Sequence, residues 1–273
     1  MDFEMIDTAP ALQAFIAELP ELTINQPGLY VDLEGNDLSR NGTLSLITIL
    51  VEPRHTVHLI DVKTLGAAAF TTSDSNGKTI KQILESDTVV KVFFDIRNDS
   101  DALFSLFGVR VAGIQDVQLM EVASRTSSKR LLNGLARCIE RDAPISYADK
   151  REWRSTKDEG HRLFVPARGG SFAVFDERPL TPAVQKYCVQ DVLHMPALRS
   201  AYKAKLSNAW WTRIQEETTA RIALSQSANF NGKGRHMAEG PAGWQRISED
   251  AQVPYHRLWT RKIRLTDEFH RMM

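Results

Sequence analysis

The chain has 273 residues, of which 42% are hydrophobic and 25% charged; this excludes a disordered or low-complexity protein and leaves room for one large domain with an appendage. The formal net charge of zero hides two unlike halves: residues 1–120 hold 17 Asp/Glu against 8 Lys/Arg, and residues 121–273 hold 17 against 26. No apolar run approaches the roughly 18 residues needed to cross a bilayer. The N-terminal stretch opens with acids rather than the basic region of a signal peptide. Cys138 and Cys188 are too few for a disulfide framework or a zinc site, so the expectation is a soluble, intracellular protein with no membrane partner. Carboxylates gather metal ions and basic side chains hold phosphates, so the asymmetry suits a polyanion-processing enzyme; differing solvated faces would give the same count.

Residues 9–19 have helical apolar spacing, with Thr8 as cap. Residues 29–33, 44–51 and 56–60 are aliphatic or β-branched runs separated by Gly, Asn and Pro, which predicts three consecutive strands. A helix follows over 78–85, a buried strand over 89–93, a helix over 99–107 ended by Gly108, and a short strand over 109–111. Further helices are predicted at 116–124, 130–140 and 181–206. This order indicates an α/β layer fold, a mixed sheet covered by helices. Residues 142–180, rich in charge, Pro and Gly, read as an irregular insertion within a domain spanning 1–207. Residues 208–273 read as a C-terminal extension, partly helical or flexible.

Three segments concentrate acids. In Tyr30-Val31-Asp32-Leu33-Glu34-Gly35 a strand delivers two carboxylates to one face, because side chains alternate along a strand. Like charges on one face repel and resist dehydration, and a hard divalent cation removes both objections. The second segment, from Lys91 to Leu103, runs from strand into helix and offers Asp95, Asp99 and Asp101. Asp99 sits where an Asp commonly caps a helix, Asp95 ends the strand, and Asp101 reads as a helix-surface residue. In the third segment Tyr187 and Asp191, four apart, share a helix face among Val189, Val192 and Leu193.

Together these segments resemble the three exonuclease motifs of the DEDD 3'-5' exonucleases, with Tyr187 marking the tyrosine-bearing subclass. Leu44 to Ile49 resembles the strand after the first motif. Lys91-Val92 resembles the lead-in to the second, and its spacing selects Asp99 with Asp95 as the alternative. Asp116-Val117-Gln118 resembles an Asp-Thr-Gln segment of ribonuclease D and Werner-type exonuclease domains. His161 to Pro166, Gly169-Gly170, Val174-Phe175 and Arg178-Pro179-Leu180 resemble the exonuclease 3'-5' domain-containing group that includes Egalitarian. The resemblance covers roughly 5–206 and implies a ribonuclease H-like fold. Phe94 departs from ribonuclease D, where a His is common, and no HRDC-like helical domain is recognisable in the sequence after residue 206.

The resemblance implies hydrolysis of single-stranded RNA or DNA from the 3' end, RNA favoured, by two divalent cations, Mg2+ or Mn2+. Asp32 would bridge both ions. Glu34 and Asp191 would hold the ion carrying the attacking water, Asp99 would serve the other, and Tyr187 would aim the water. Some members of the group have lost catalytic acids and act as RNA-binding scaffolds; here all five positions hold competent residues. Leu33 is a candidate wedge against the terminal base. Arg151, Arg154, Lys157, Arg162 and Arg168 are candidate phosphate contacts, with a solvated basic loop as the alternative. Trp210, Trp211 and Phe230 beside Lys233 and Arg235 either stack bases or pack the extension onto the domain. Cys138 and Cys188 read as core thiols, and His161, His194 and His236 lack ligand spacing.

Overall fold

The computed structural model describes residues 3–19 and 28–246. Six strands form one mixed sheet: β1 (Phe3–Ile6), β2 (Leu29–Glu34), β3 (Leu46–Val51), β4 (Thr56–Asp61), β5 (Lys91–Phe93) and β6 (Ile114–Asp116). Their spatial order is β1-β4-β3-β2-β5-β6. β3 pairs antiparallel with both β2 and β4, and the remaining pairs are parallel. The expected α/β mixed sheet is therefore present. The strand expected at 109–111 lies instead at 114–116, although Val109 and Val111 are buried as hydrophobic plugs. β1 lay outside the sequence reading; only its last residue is buried, so its signal is weak.

Helices cover both faces. One face carries α1 (Ala9–Glu18), the short α2 (Val62–Leu65) and α3 (Ala68–Thr71), α4 (Ile80–Glu85) and α5 (Arg97–Phe107). Leu29, Val31 and Leu33 of β2 point into that side, with Ile47, Ile49, Ile16, Leu84 and Leu103. The other face carries α6 (Val117–Ser124), α7 (Leu135–Asp142), α8 (Tyr147–Phe164), α9 (Pro182–Leu193) and α10 (Met195–Lys203) over Tyr30, Leu46, Leu50 and Val92. Strand alternation thus sends Asp32 and Glu34 to the side of Tyr30, toward α9.

Two regions correct the sequence reading. The supposed irregular insertion contains α8, an 18-residue helix capped by Ser146 and followed by 3-10 turns at Pro166–Arg168 and Phe172–Phe175. The predicted helix over 181–206 is two helices, α9 and α10, meeting at His194 with a Pro in the first turn of α10, where it cannot continue α9. The described part of the C-terminal extension is built onto the domain. Its helix α11 (Asn208–Ser225) packs on α5, α6 and β6. Trp210 is buried against Trp244, ring centroids 5.2 Å apart, so it packs the extension rather than stacking bases. Residues 247–273 lie outside the described residues.

Candidate active site

The third acidic segment enters from α9. Thr181 caps this helix through the Val184 N–H, and Pro182 occupies its first turn. Just upstream, Arg178 clasps Asp61 at the end of β4 through Nε (2.6 Å) and Nη2 (2.5 Å), and also donates to the Ser45 carbonyl. The Arg-Pro-Leu run therefore ties the start of α9 to the strand ends. Along the inner face of α9, Tyr187, Cys188 and Asp191 are buried.

This brings the acids together. Carboxylate oxygens of Asp32, Glu34 and Asp191 all lie within 4.8 Å of one another. Asp32 is pushed up to about 7 by burial first and by the Asp191 charge next. Glu34 is raised well above the usual carboxylate range by burial, then by Asp32 and Asp191. Part of the surface of each still reaches solvent, but neither charge is well hydrated. Asp99 stands outside this tight group yet near it. It is 8% exposed, and burial followed by the Asp32 charge raises it well above its ordinary value.

The other second-segment acids are spoken for. Asp95 adopts a left-handed backbone conformation (φ 64°), which Asp tolerates better than most residues, to turn β5 into α5. Its carboxylate is gripped by Arg97 through two bonds of 2.6 Å. Asp101, expected on the helix surface, is 1% exposed and bonded to Arg40 through Nε (2.7 Å) and the backbone N–H (2.8 Å). A basic partner distant in sequence buries it.

Tyr187 is held by aromatic neighbours, its ring centroid 4.8 Å from Phe164 in an edge arrangement. Burial, then the charges of Asp191, Glu34 and Asp32, push its phenol well above the ordinary value, so it remains protonated at neutral pH. Lys157 reaches its hydroxyl at 2.8 Å and Asp191 Oδ2 at 2.5 Å. Lys157, read from sequence as a phosphate contact in a loop, thus belongs to the carboxylate cluster. Its apolar-poor helix gave no periodic signal to place it there.

Leu33 is 3% exposed and packs in the opposite core, so it is no base wedge; alternation forces it away from its acidic neighbours. Arg151, Arg154, Arg162 and Arg168 are exposed, on α8 or just after it. Arg154 pairs with Glu140 (2.8 Å) and Arg168 with Asp158 (3.3 Å).

Asp191 Oδ1 is buried with no hydrogen-bond partner, an orphaned acceptor on one member of a cluster of hard oxygen ligands. That donor set fits a divalent cation of the magnesium or manganese kind.

The 3'-5' exonuclease family profile matches residues 3–207. The chain belongs to the 3'-5' exonuclease family. Within it, 97 residues are 33% identical to the piRNA biogenesis protein EXD1 of Mus musculus, covering 36% of this chain and 16% of the mouse protein. The fold resembles Trypanosoma brucei RNase D in complex with RNA U12, with TM-score 0.69, 20% identity, and 90% of this chain and 79% of that one covered. It also resembles Brucella melitensis NrnC with bound Mg2+, with TM-score 0.53, 18% identity, and 85% and 98% covered. Among the described residues no helix is long and apolar enough to cross a membrane.

Proposed function

We propose that this chain is a 3'-5' exonuclease that shortens single-stranded nucleic acid, RNA in preference to DNA, to 5'-mononucleotides with two divalent cations. The observation that carries the reading is the convergence of Asp32, Glu34 and Asp191 within 4.8 Å, with Asp191 Oδ1 left without a partner. RNA is supported by the RNA-bound RNase D of similar fold and by the piRNA role in the name of the mouse relative. Magnesium is supported by the NrnC structure.

Asp32, Glu34 and Asp191, with Asp99 alongside, would hold the cations, which when bound supply the Lewis acidity that makes water nucleophilic near neutral pH and offsets charge on the leaving 3'-oxygen. The protein does the rest by positioning. The protonated Tyr187 hydroxyl, fixed by Phe164, orients the attacking water toward phosphorus; a phenol raised above its usual pKa of ~10 does not remove a proton at pH 7. Arg151, Arg154, Arg162 and Arg168 would meet the polyanion along α8.

The test is incubation of 5'-labelled single-stranded RNA and DNA with Mg2+, Mn2+ or EDTA. A ladder shortening from the 3' end, faster on RNA and stopped by EDTA, is expected. Full-length substrate under every condition would overturn the reading.

A further inference from the structure

Lys157 is the unexplained charge in the site. Its ammonium lies 2.5 Å from Asp191 Oδ2 and 2.8 Å from the Tyr187 hydroxyl, and its side chain is only 13% exposed. It comes from α8, an element that contributes none of the carboxylates.

Its placement is enforced by packing. One turn beyond Lys157, Gly160 lets α8 press on the Tyr187 ring, where an added Cβ would sit 2.3 Å from Cδ2. With its amide turned to satisfy both neighbours, Gln190 of α9 donates to the Trp153 carbonyl (3.1 Å) and accepts from the Lys157 N–H (3.1 Å). Two contacts thus fix the helix that carries the lysine against the helix that carries Asp191.

We propose that Lys157 is a tethered counter-ion that occupies the Asp191 side of the carboxylate cluster and must be displaced from Asp191 by an incoming divalent cation. The inference rests on the metal-dependent reading above. Asp191 Oδ1 is open to a cation while Lys157 holds Oδ2, and an ammonium and a divalent ion on the two oxygens of one carboxylate repel strongly. An intramolecular competitor lowers the apparent affinity of the ligand by the fraction of competent, vacated sites. Lys157 therefore holds the fold together without metal and weakens metal binding. On displacement it keeps its bond to Tyr187, so it shifts rather than leaves.

The experiment is Mn2+ titration calorimetry at fixed pH on the wild-type protein, Lys157→Met and Lys157→Gln; the glutamine variant keeps a donor toward Tyr187 should the methionine variant fold poorly. Both variants are expected to bind Mn2+ at least tenfold more tightly, to melt at lower temperature without metal, and to gain more on adding it. Equal or weaker Mn2+ binding by folded variants would overturn the inference and leave the metal reading intact. Mn2+ binding by none of the three would overturn both. A crystal structure of the Mn2+-loaded wild-type protein supplies a test without substitution: Lys157 Nζ is expected off Asp191, and Nζ still on Oδ2 beside a bound ion refutes displacement.

Discussion

Gly160 of α8 and Tyr187 of α9 are in such close contact that any side chain at residue 160 would collide with the ring, at 2.3 Å from Cδ2 and 2.9 Å from Cγ. Phe164, four residues further along the same helix, packs on the ring as well, with centroids 4.8 Å apart. Gly160→Ala should therefore displace the Tyr187 hydroxyl from the water that the proposed mechanism has it aim. Misplacement by about 1 Å typically costs on the order of a hundredfold in rate. We expect kcat to fall ten- to a hundredfold with Mn2+ affinity changed by less than about threefold, read by steady-state kinetics beside calorimetry. Unchanged kcat would show that the contact does not position the tyrosine.

Tyr187→Phe removes the hydroxyl and keeps the ring. On the proposed mechanism the phenol orients rather than deprotonates, so some activity should survive, reduced about 10²- to 10³-fold in kcat, whereas Asp191→Asn should leave none measurable. The comparison uses single-turnover nucleotide release at saturating metal. Equal losses in the two variants would give the phenol a larger role than positioning.

How far this site was legible in the sequence follows from the physics of each signal. Asp32 and Glu34 showed themselves through strand alternation, and Tyr187 and Asp191 through helical spacing. Lys157 did not, because the inward face of α8 is Trp153, Thr156, Gly160 and Phe164; a Thr and a Gly stand where hydrophobic periodicity looks for apolar groups. The same holds for α11, whose buried side is Trp210, Ile214, Thr218, Arg221 and Ser225. Asp101 looked like a surface residue because its partner, Arg40, lies in a loop before β3 that no local pattern ties to α5.

Arg221 and Asp116 show what that polar stripe does. The carboxylate of Asp116 is fully buried, accepts the Asp95 and Gln118 N–H groups at 3.0 Å each, and is met by Arg221 Nη1 at 2.7 Å. Removing one partner of a buried pair strands the other charge, at a cost of about 3–5 kcal/mol. Arg221→Ala should destabilise the whole domain by that amount in chemical denaturation. A loss below about 1 kcal/mol would mean that α11 is an appendage and not part of the domain.

Lys91 is fully buried, its ammonium bonded to the Ser86 carbonyl at 2.5 Å, and burial lowers its pKa from 10.5 to about 7. Between those values the unfolded chain binds the proton and the folded chain does not, so this residue makes stability rise with pH across that window. Lys91→Met should raise the melting temperature at pH 7 and flatten its increase between pH 7 and 9. A variant that melts lower than wild type at pH 7, with the slope retained, would contradict the assignment.

The convergence of acids on β2 and α9 is tested most directly by the nucleotide release rate of Asp32→Asn against wild type, at saturating Mg2+, on protein whose circular dichroism is unchanged. The substitution keeps size and one acceptor oxygen, turns the other acceptor into a donor, and removes one charge from the cluster. A loss of at least about 10³-fold is expected, on the order of the ~4 kcal/mol such a centre contributes. A rate within tenfold of wild type would place the chemistry, if any, somewhere other than these carboxylates.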